Sequence, residues 1–155
     1  MPKTSTKILV TTGEAKNKYR LDDQVGFLLR RAYQRASANL VEKIGHYQLT
    51  PPQFATLARL YERGELSQNL LGRLVTMEPA NIRDVVQRLK KRGLVTTKRD
   101  AADTRLIVVG LTTTGHALTQ QLLPIEVACT SKTLAPLNKD ERKTLYDLLS
   151  RVAEG

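Results

Sequence analysis

The sequence predicts a mainly α-helical domain with one small β-wing. Three observations predict it. Apolar residues recur at helical spacing through most of the chain. One stretch, from Leu94 to Val109, turns to the β-branched composition of strands. Cations gather just before that stretch and within it: Arg83, Arg88, Lys90, Lys91, Arg92, Lys98 and Arg99 stand against Asp84 alone. From Leu106 to the C terminus the two signs balance, so the basic excess is local.

The elements follow in order. Leu21, Val25, Leu28, Ala32, Ala36, Leu40 and Ile44 predict a long amphipathic helix of about six or seven turns. Asp22-Asp23 at its start compensate the helix dipole. Leu49-Thr50-Pro51-Pro52 marks a loop and a capped helix start, with Phe54, Leu57 and Leu60 or Tyr61 on the buried face. Ser67 is an N-cap, and Leu70, Leu71 and Leu74 put one apolar stripe behind it. Val75-Thr76-Met77 breaks the pattern. Thr76 or Glu78 then starts the next helix, with Pro79 in its first turn, where a missing N–H costs little. Ile82, Val85, Val86 and Leu89 form its core stripe, and Gly93 after Lys90-Lys91-Arg92 stops it. Leu94 to Lys98 and Leu106 to Val109 read as paired strands joined by a projecting polar loop from Arg99 to Thr104. Thr112 or Thr113 opens a helix running toward Leu134, with Pro124 as a kink. After Pro136, Asn138 caps a last helix carrying Leu145, Leu148, Leu149 and Val152.

Two short helices, a turn and a basic wing are the parts of a winged helix-turn-helix, in which one helix enters the major groove. The net charge of +10 favours a polyanionic partner. No helix pairs a basic face with bulky aromatic anchors, which argues against a membrane surface. With no Trp and two Phe there is little surface for stacking unpaired bases, so duplex DNA is the better partner. The candidate DNA contacts are Ser67, Gln68 and Asn69, then Ala80, Asn81, Arg83, Asp84, Gln87, Arg88 and Lys91, and on the wing Lys98, Arg99, Asp103 and Arg105. An architectural DNA-binding protein without a ligand is the alternative reading.

No catalytic constellation rises above noise. The two histidines, His46 and His116, belong to no metal-spaced cluster, and there is no GxGxxG, GxxxxGK[ST] or GxSxG. No cofactor or metal is expected. Cys129 is the only cysteine, so no intrachain disulfide forms and a reducing cytoplasm is expected; its apolar surroundings predict a buried, inert thiol. The run Ile8-Leu9-Val10 is too short for a secretory leader. Residues 1–20 hold Lys3, Lys7, Lys16, Lys18 and Arg20 against Glu14, without periodicity, and read as a flexible basic arm before a single domain over 21–155. The first and last helices carry more apolar surface than the winged part can cover. A second copy of the chain would cover it.

The run RLKKRGLV, then Asp103-x-Arg105, then Leu111-Thr112, resembles the signature of the MarR family of bacterial transcription regulators. The likeness extends from about Leu21 to the C terminus. It implies a MarR-like homodimer, with the winged helix-turn-helix over about 50–112 and dimerisation helices over about 21–46 and 113–153. It implies that Arg105 enters the minor groove of a palindromic operator or meets its phosphates, and that Asp103 holds the arginine in position. A narrow minor groove does favour an inserted guanidinium. It further implies an effector site, for a small aromatic carboxylate, between the dimerisation helices and the winged part. Candidates for that site are Arg20, Arg31, Tyr33, His46, Tyr47, Gln53 and His116. The segments LDDQVGFLLRRAYQRA and LTPPQFATLARL are similar to the branch that represses nicotinic acid breakdown and responds to a hydroxylated nicotinate.

Overall fold

Most helices begin where a side chain or a proline takes care of the first unpaired amides. The structure, a computed structural model, describes residues 18–155. All but the end of the expected basic arm lies outside them. By internal packing the described residues divide into 18–34 and 35–155.

In the first unit a 3-10 turn, Leu21–Asp23, precedes helix α1, Val25–Ile44. The helix expected from Leu21 is therefore shorter, because Gln24 between the two is extended, with φ −85° and ψ 124°. Asp22 receives a salt bridge from Arg31 at 3.6 Å, and the Arg31 guanidinium lies 6.0 Å from the Phe27 ring centroid. Leu21, Val25, Leu28 and Tyr33 are exposed.

The second unit holds the rest of α1 and everything after it. Helix α2, Pro51–Arg63, has a capping box: the Thr50 hydroxyl accepts from the Gln53 amide, and the Gln53 carboxamide accepts from the Thr50 amide. Strand β1, Leu66–Ser67, leads into α3, Gln68–Leu74, whose first turn the Ser67 hydroxyl caps. In α3 the stripe is narrower than expected, since Leu71 is buried and Leu70 is exposed. Helix α4 runs Pro79–Lys91 with Pro79 at its first position. It ends as a Schellman motif: Gly93, at φ +70°, donates to Lys90 and Leu94 donates to Leu89, both at 3.0 Å.

Strands β2, Val95–Arg99, and β3, Ile107–Leu111, form an antiparallel hairpin in which Arg99 faces Ile107. β1 adds a third strand that sequence reasoning missed, giving the order β1-β3-β2 with Leu66 opposite Val109. Helix α5, Thr113–Thr133, continues through Pro124, and α6, Lys139–Glu154, starts from an Asn138–Glu141 capping box. Phe54, Leu57 and Leu60 of α2 meet Leu71, Ile82, Val86 and Leu89 of α3 and α4, Val95 and Val109 of the sheet, and Leu122 of α5 in one core. Truncating such a leucine to alanine costs about 2–5 kcal/mol. Cys129 is buried as expected, its Sγ donating to the Asn39 carbonyl at 3.4 Å.

Candidate nucleic-acid interface

Helix α4 is presented by its packing. Ile82, Val86 and Leu89 are buried, which turns Ala80, Asp84, Gln87 and Lys91, at helical spacing, to the opposite face. Asn81, Arg83 and Arg88 flank that stripe and are exposed. The angle between α3 and α4 depends on Gly72: an added Cβ would lie 2.9 Å from Ile82 Cγ2. The turn between them closes with Thr76 in the left-handed region, at φ +54°, while Met77 donates to Gly72 at 2.9 Å. A β-branched residue is strained there.

The wing is braced from within. The Asp100 carboxylate accepts the Ala102 and Asp103 amides at 2.9 and 2.8 Å, and Arg99 donates to the Thr104 carbonyl at 3.1 Å. Asp103 grips Arg105 with both oxygens: Oδ1 accepts from Nε and Oδ2 from Nη2, each at 3.0 Å. That fork leaves the Arg105 side chain 88% exposed. The Arg105 hydrogen bonds hold the Asp103 carboxyl below its ordinary range, and the carboxylate raises the guanidinium in turn.

Several cations of the basic segment, the candidate contacts Arg88 and Lys98 among them, are engaged inside the chain. Arg88 pairs with Asp84 at 3.0 Å, Lys98 with Glu65 at 3.1 Å, and Lys90 donates to Thr97 Oγ1 at 2.7 Å. Arg92 donates to two backbone carbonyls. Ser67 is occupied by its cap; Gln68 and Asn69 follow it in the first turn of α3. Arg83 and Lys91 are the candidate cations left projecting from α4, and Arg105 projects from the wing in the grip of Asp103. Sequence reasoning missed Asp100, Gly72 and the joint at Thr112. The Thr112 hydroxyl donates to Gly93 at 2.6 Å and accepts from Gly115 at 2.9 Å. At Gly115 an added Cβ would fall 1.9 Å from the Leu94 carbonyl oxygen, so α5 starts hard against the wing's base.

Over residues 49–107 the chain matches the MarR family. It is 37% identical to the transcriptional repressor NicR of Pseudomonas putida, across 88% of this chain and 86% of that one. The chain belongs to the MarR family. It is thus a DNA-binding transcription regulator and not an enzyme. Among solved structures, a probable transcriptional regulator from Pseudomonas aeruginosa is 45% identical with a TM-score of 0.80, covering 86% of this chain and 99% of that one. BpsR of Bordetella bronchiseptica, whose DNA binding is regulated by 6-hydroxynicotinic acid, is 36% identical with a TM-score of 0.84, covering 88% and 98%.

The effector candidates divide between the two units. Arg20, Arg31 and Tyr33 lie in the first, all exposed, with Arg31 engaged by Asp22. In the second, His46 and Tyr47 form the turn Gly45–Tyr47, and the Tyr47 hydroxyl accepts from Gln121 at 3.4 Å. Gln53 is committed to its cap, and His116 lies against the Tyr61 ring with centroids 4.7 Å apart. Among the described residues no cluster of His, Cys, Asp or Glu could hold a metal ion, and no helix is long and apolar enough to cross a membrane.

Proposed function

We propose that the chain is a cytoplasmic, homodimeric repressor that binds a palindromic operator and is released by a small hydroxylated aromatic carboxylate of the hydroxynicotinate type. The bidentate Asp103–Arg105 pair carries the DNA part of this reading. A carboxylate beside a polyanion is unfavourable unless it positions something, and here it aims an exposed guanidinium from the wing tip. In this reading α4 supplies base contacts through Asn81, Arg83 and Gln87, while Lys91 neutralises phosphate. Residues about 50–112 form the DNA-reading part, and the helices over about 21–46 and 113–153 serve the dimer.

The likeness to NicR and to BpsR supports the ligand class. His46, Tyr47 and His116, with Tyr61, supply aromatic side chains of the kind a hydroxypyridine carboxylate needs. A thermal-shift screen of aromatic acids tests it, with hits repeated in a DNA-release assay. At a hundred times its Kd, 6-hydroxynicotinic acid should stabilise the chain by about 2.7 kcal/mol and free it from its operator. Salicylate or urate acting in its place would overturn the ligand class. Dense DNA coverage without site preference, indifferent to every acid, would favour the architectural alternative.

A further inference from the structure

Arg92 stands in the densest run of cations, after Lys90 and Lys91, where charge alone would point it at phosphate. Its guanidinium is turned to another use. Nη1 donates to the Gln48 carbonyl at 2.7 Å and Nη2 to the Tyr47 carbonyl at 2.8 Å. Both acceptors lie in the turn between α1 and α2, so the fork ties the C-cap of α4 to a distant part of the sequence. That turn is itself a constrained object. Gln48 holds φ +56°, a left-handed conformation that a non-glycine keeps only where its surroundings impose it. Its amide donates to Gly45 at 2.9 Å, and Tyr47 packs on the core while its hydroxyl reaches Gln121 of α5. A planar fork on two consecutive carbonyls fixes direction as well as distance, which an ammonium cannot do.

We propose that Arg92 is a positioning residue that fastens the end of the recognition helix to the His46-Tyr47-Gln48 turn and carries effector occupancy from that turn to α4, and that it is not a phosphate contact. The inference rests on the reading of α4 as the DNA helix and of the turn as part of the effector site. Its own content is mechanical. A ligand that shifts the Tyr47 or Gln48 carbonyl moves the point at which the end of α4 is held, so α4 has to follow or release the fork.

The test compares the full-length chain with Arg92→Ala, Arg92→Lys and Lys91→Ala. Each is titrated against a duplex that the unmodified chain selects from a random pool, at several salt concentrations, with and without 6-hydroxynicotinic acid. Hydrogen exchange of residues 45–50 is followed in the same proteins without DNA. Lys91→Ala should lower the salt slope by about one unit and leave the turn's exchange alone. Arg92→Ala should weaken binding about tenfold with the slope unchanged, speed exchange in the turn about tenfold, and shrink the effect of 6-hydroxynicotinic acid on DNA affinity. Arg92→Lys keeps the charge and should behave like Arg92→Ala; it also serves as the folded variant if alanine melts the chain. A slope lowered by one unit in Arg92→Ala and fully restored by lysine would make Arg92 a phosphate contact and overturn the proposal. If the unmodified chain selects no duplex, or ignores the acid, the functional reading has failed instead. Exchange then decides alone: a faster turn in Arg92→Ala and Arg92→Lys upholds the clamp, and an unchanged one overturns it.

Discussion

Asp103 carries a negative charge on the wing proposed to meet DNA, and elementary electrostatics says its removal should tighten binding. The bidentate grip on Arg105 says the opposite, because the free guanidinium would lose its direction and must be ordered at the moment of binding. Asp103→Ala should therefore weaken operator binding, and most on A·T-rich flanks, where a narrow groove favours an inserted arginine. Titrations at two salt concentrations check this, and a gain in affinity would refute the role given to the wing. The pair also has a pH signature. Arg105 holds the Asp103 carboxyl below its ordinary range, so the pair is intact above that range and is lost only as pH falls through the depressed value. In the proposed reading Arg83 and Lys91 divide the labour on α4: Arg83→Ala should lower the preference for operator over random DNA by about 1–3 kcal/mol. Lys91→Ala should weaken both targets alike and reduce the salt slope by about one unit. Equal loss of specificity in the two variants, measured by competition with random duplex, would show the assignment to be wrong.

At the scale of elements, the turn between α3 and α4 holds the one β-branched residue found at positive φ among the described residues. Thr76 occupies the position after the cap where glycine normally relieves the strain of a left-handed residue. Thr76→Gly should raise stability by about 0.5–1 kcal/mol in a denaturant titration, relieved strain outweighing the added freedom of the unfolded chain; a loss of stability would mean the threonine is held without strain. The limits of α4 were legible because Pro79 and Gly93 are local signals. The wing was legible because β-branched residues flank a polar loop. The strand Leu66–Ser67 was not, since two residues carry no period, and its existence depends on Val108 and Val109 across the sheet. Nor could a sequence place Arg92 against Tyr47 and Gln48, or Gly115 against Leu94, for these contacts join segments far apart along the chain. Charge and spacing picked out the exposed face of α4 and the wing; the Arg92 and Gly115 contacts were hidden because they are non-local, and Asp100 because nothing in its type alone marks it as the brace of the wing loop.

For the whole molecule, α6 is the element that a single chain leaves unexplained. None of its residues is buried, yet Tyr146, Leu148, Leu149 and Val152 expose apolar side chains on a helix with a complete capping box. An isolated helix of this length is marginal in water, and each large apolar side chain left exposed forgoes about 1.5–3 kcal/mol of burial. A second copy of the chain offers the same stripe, so a two-fold interface can satisfy both at once. Such a dimer presents two α4 helices, which sets half-sites about one helical turn apart and makes operator affinity a product of both. Leu149→Asp places a charge in that stripe without touching α4 or the wing. In sedimentation equilibrium it should shift the chain from dimer to monomer at micromolar concentration, and footprinting should then show one weakly protected half-site where the unmodified chain protects two. A variant that stays dimeric with its footprint intact would remove α6 from the interface, and a chain that is monomeric before any substitution would remove the dimer altogether.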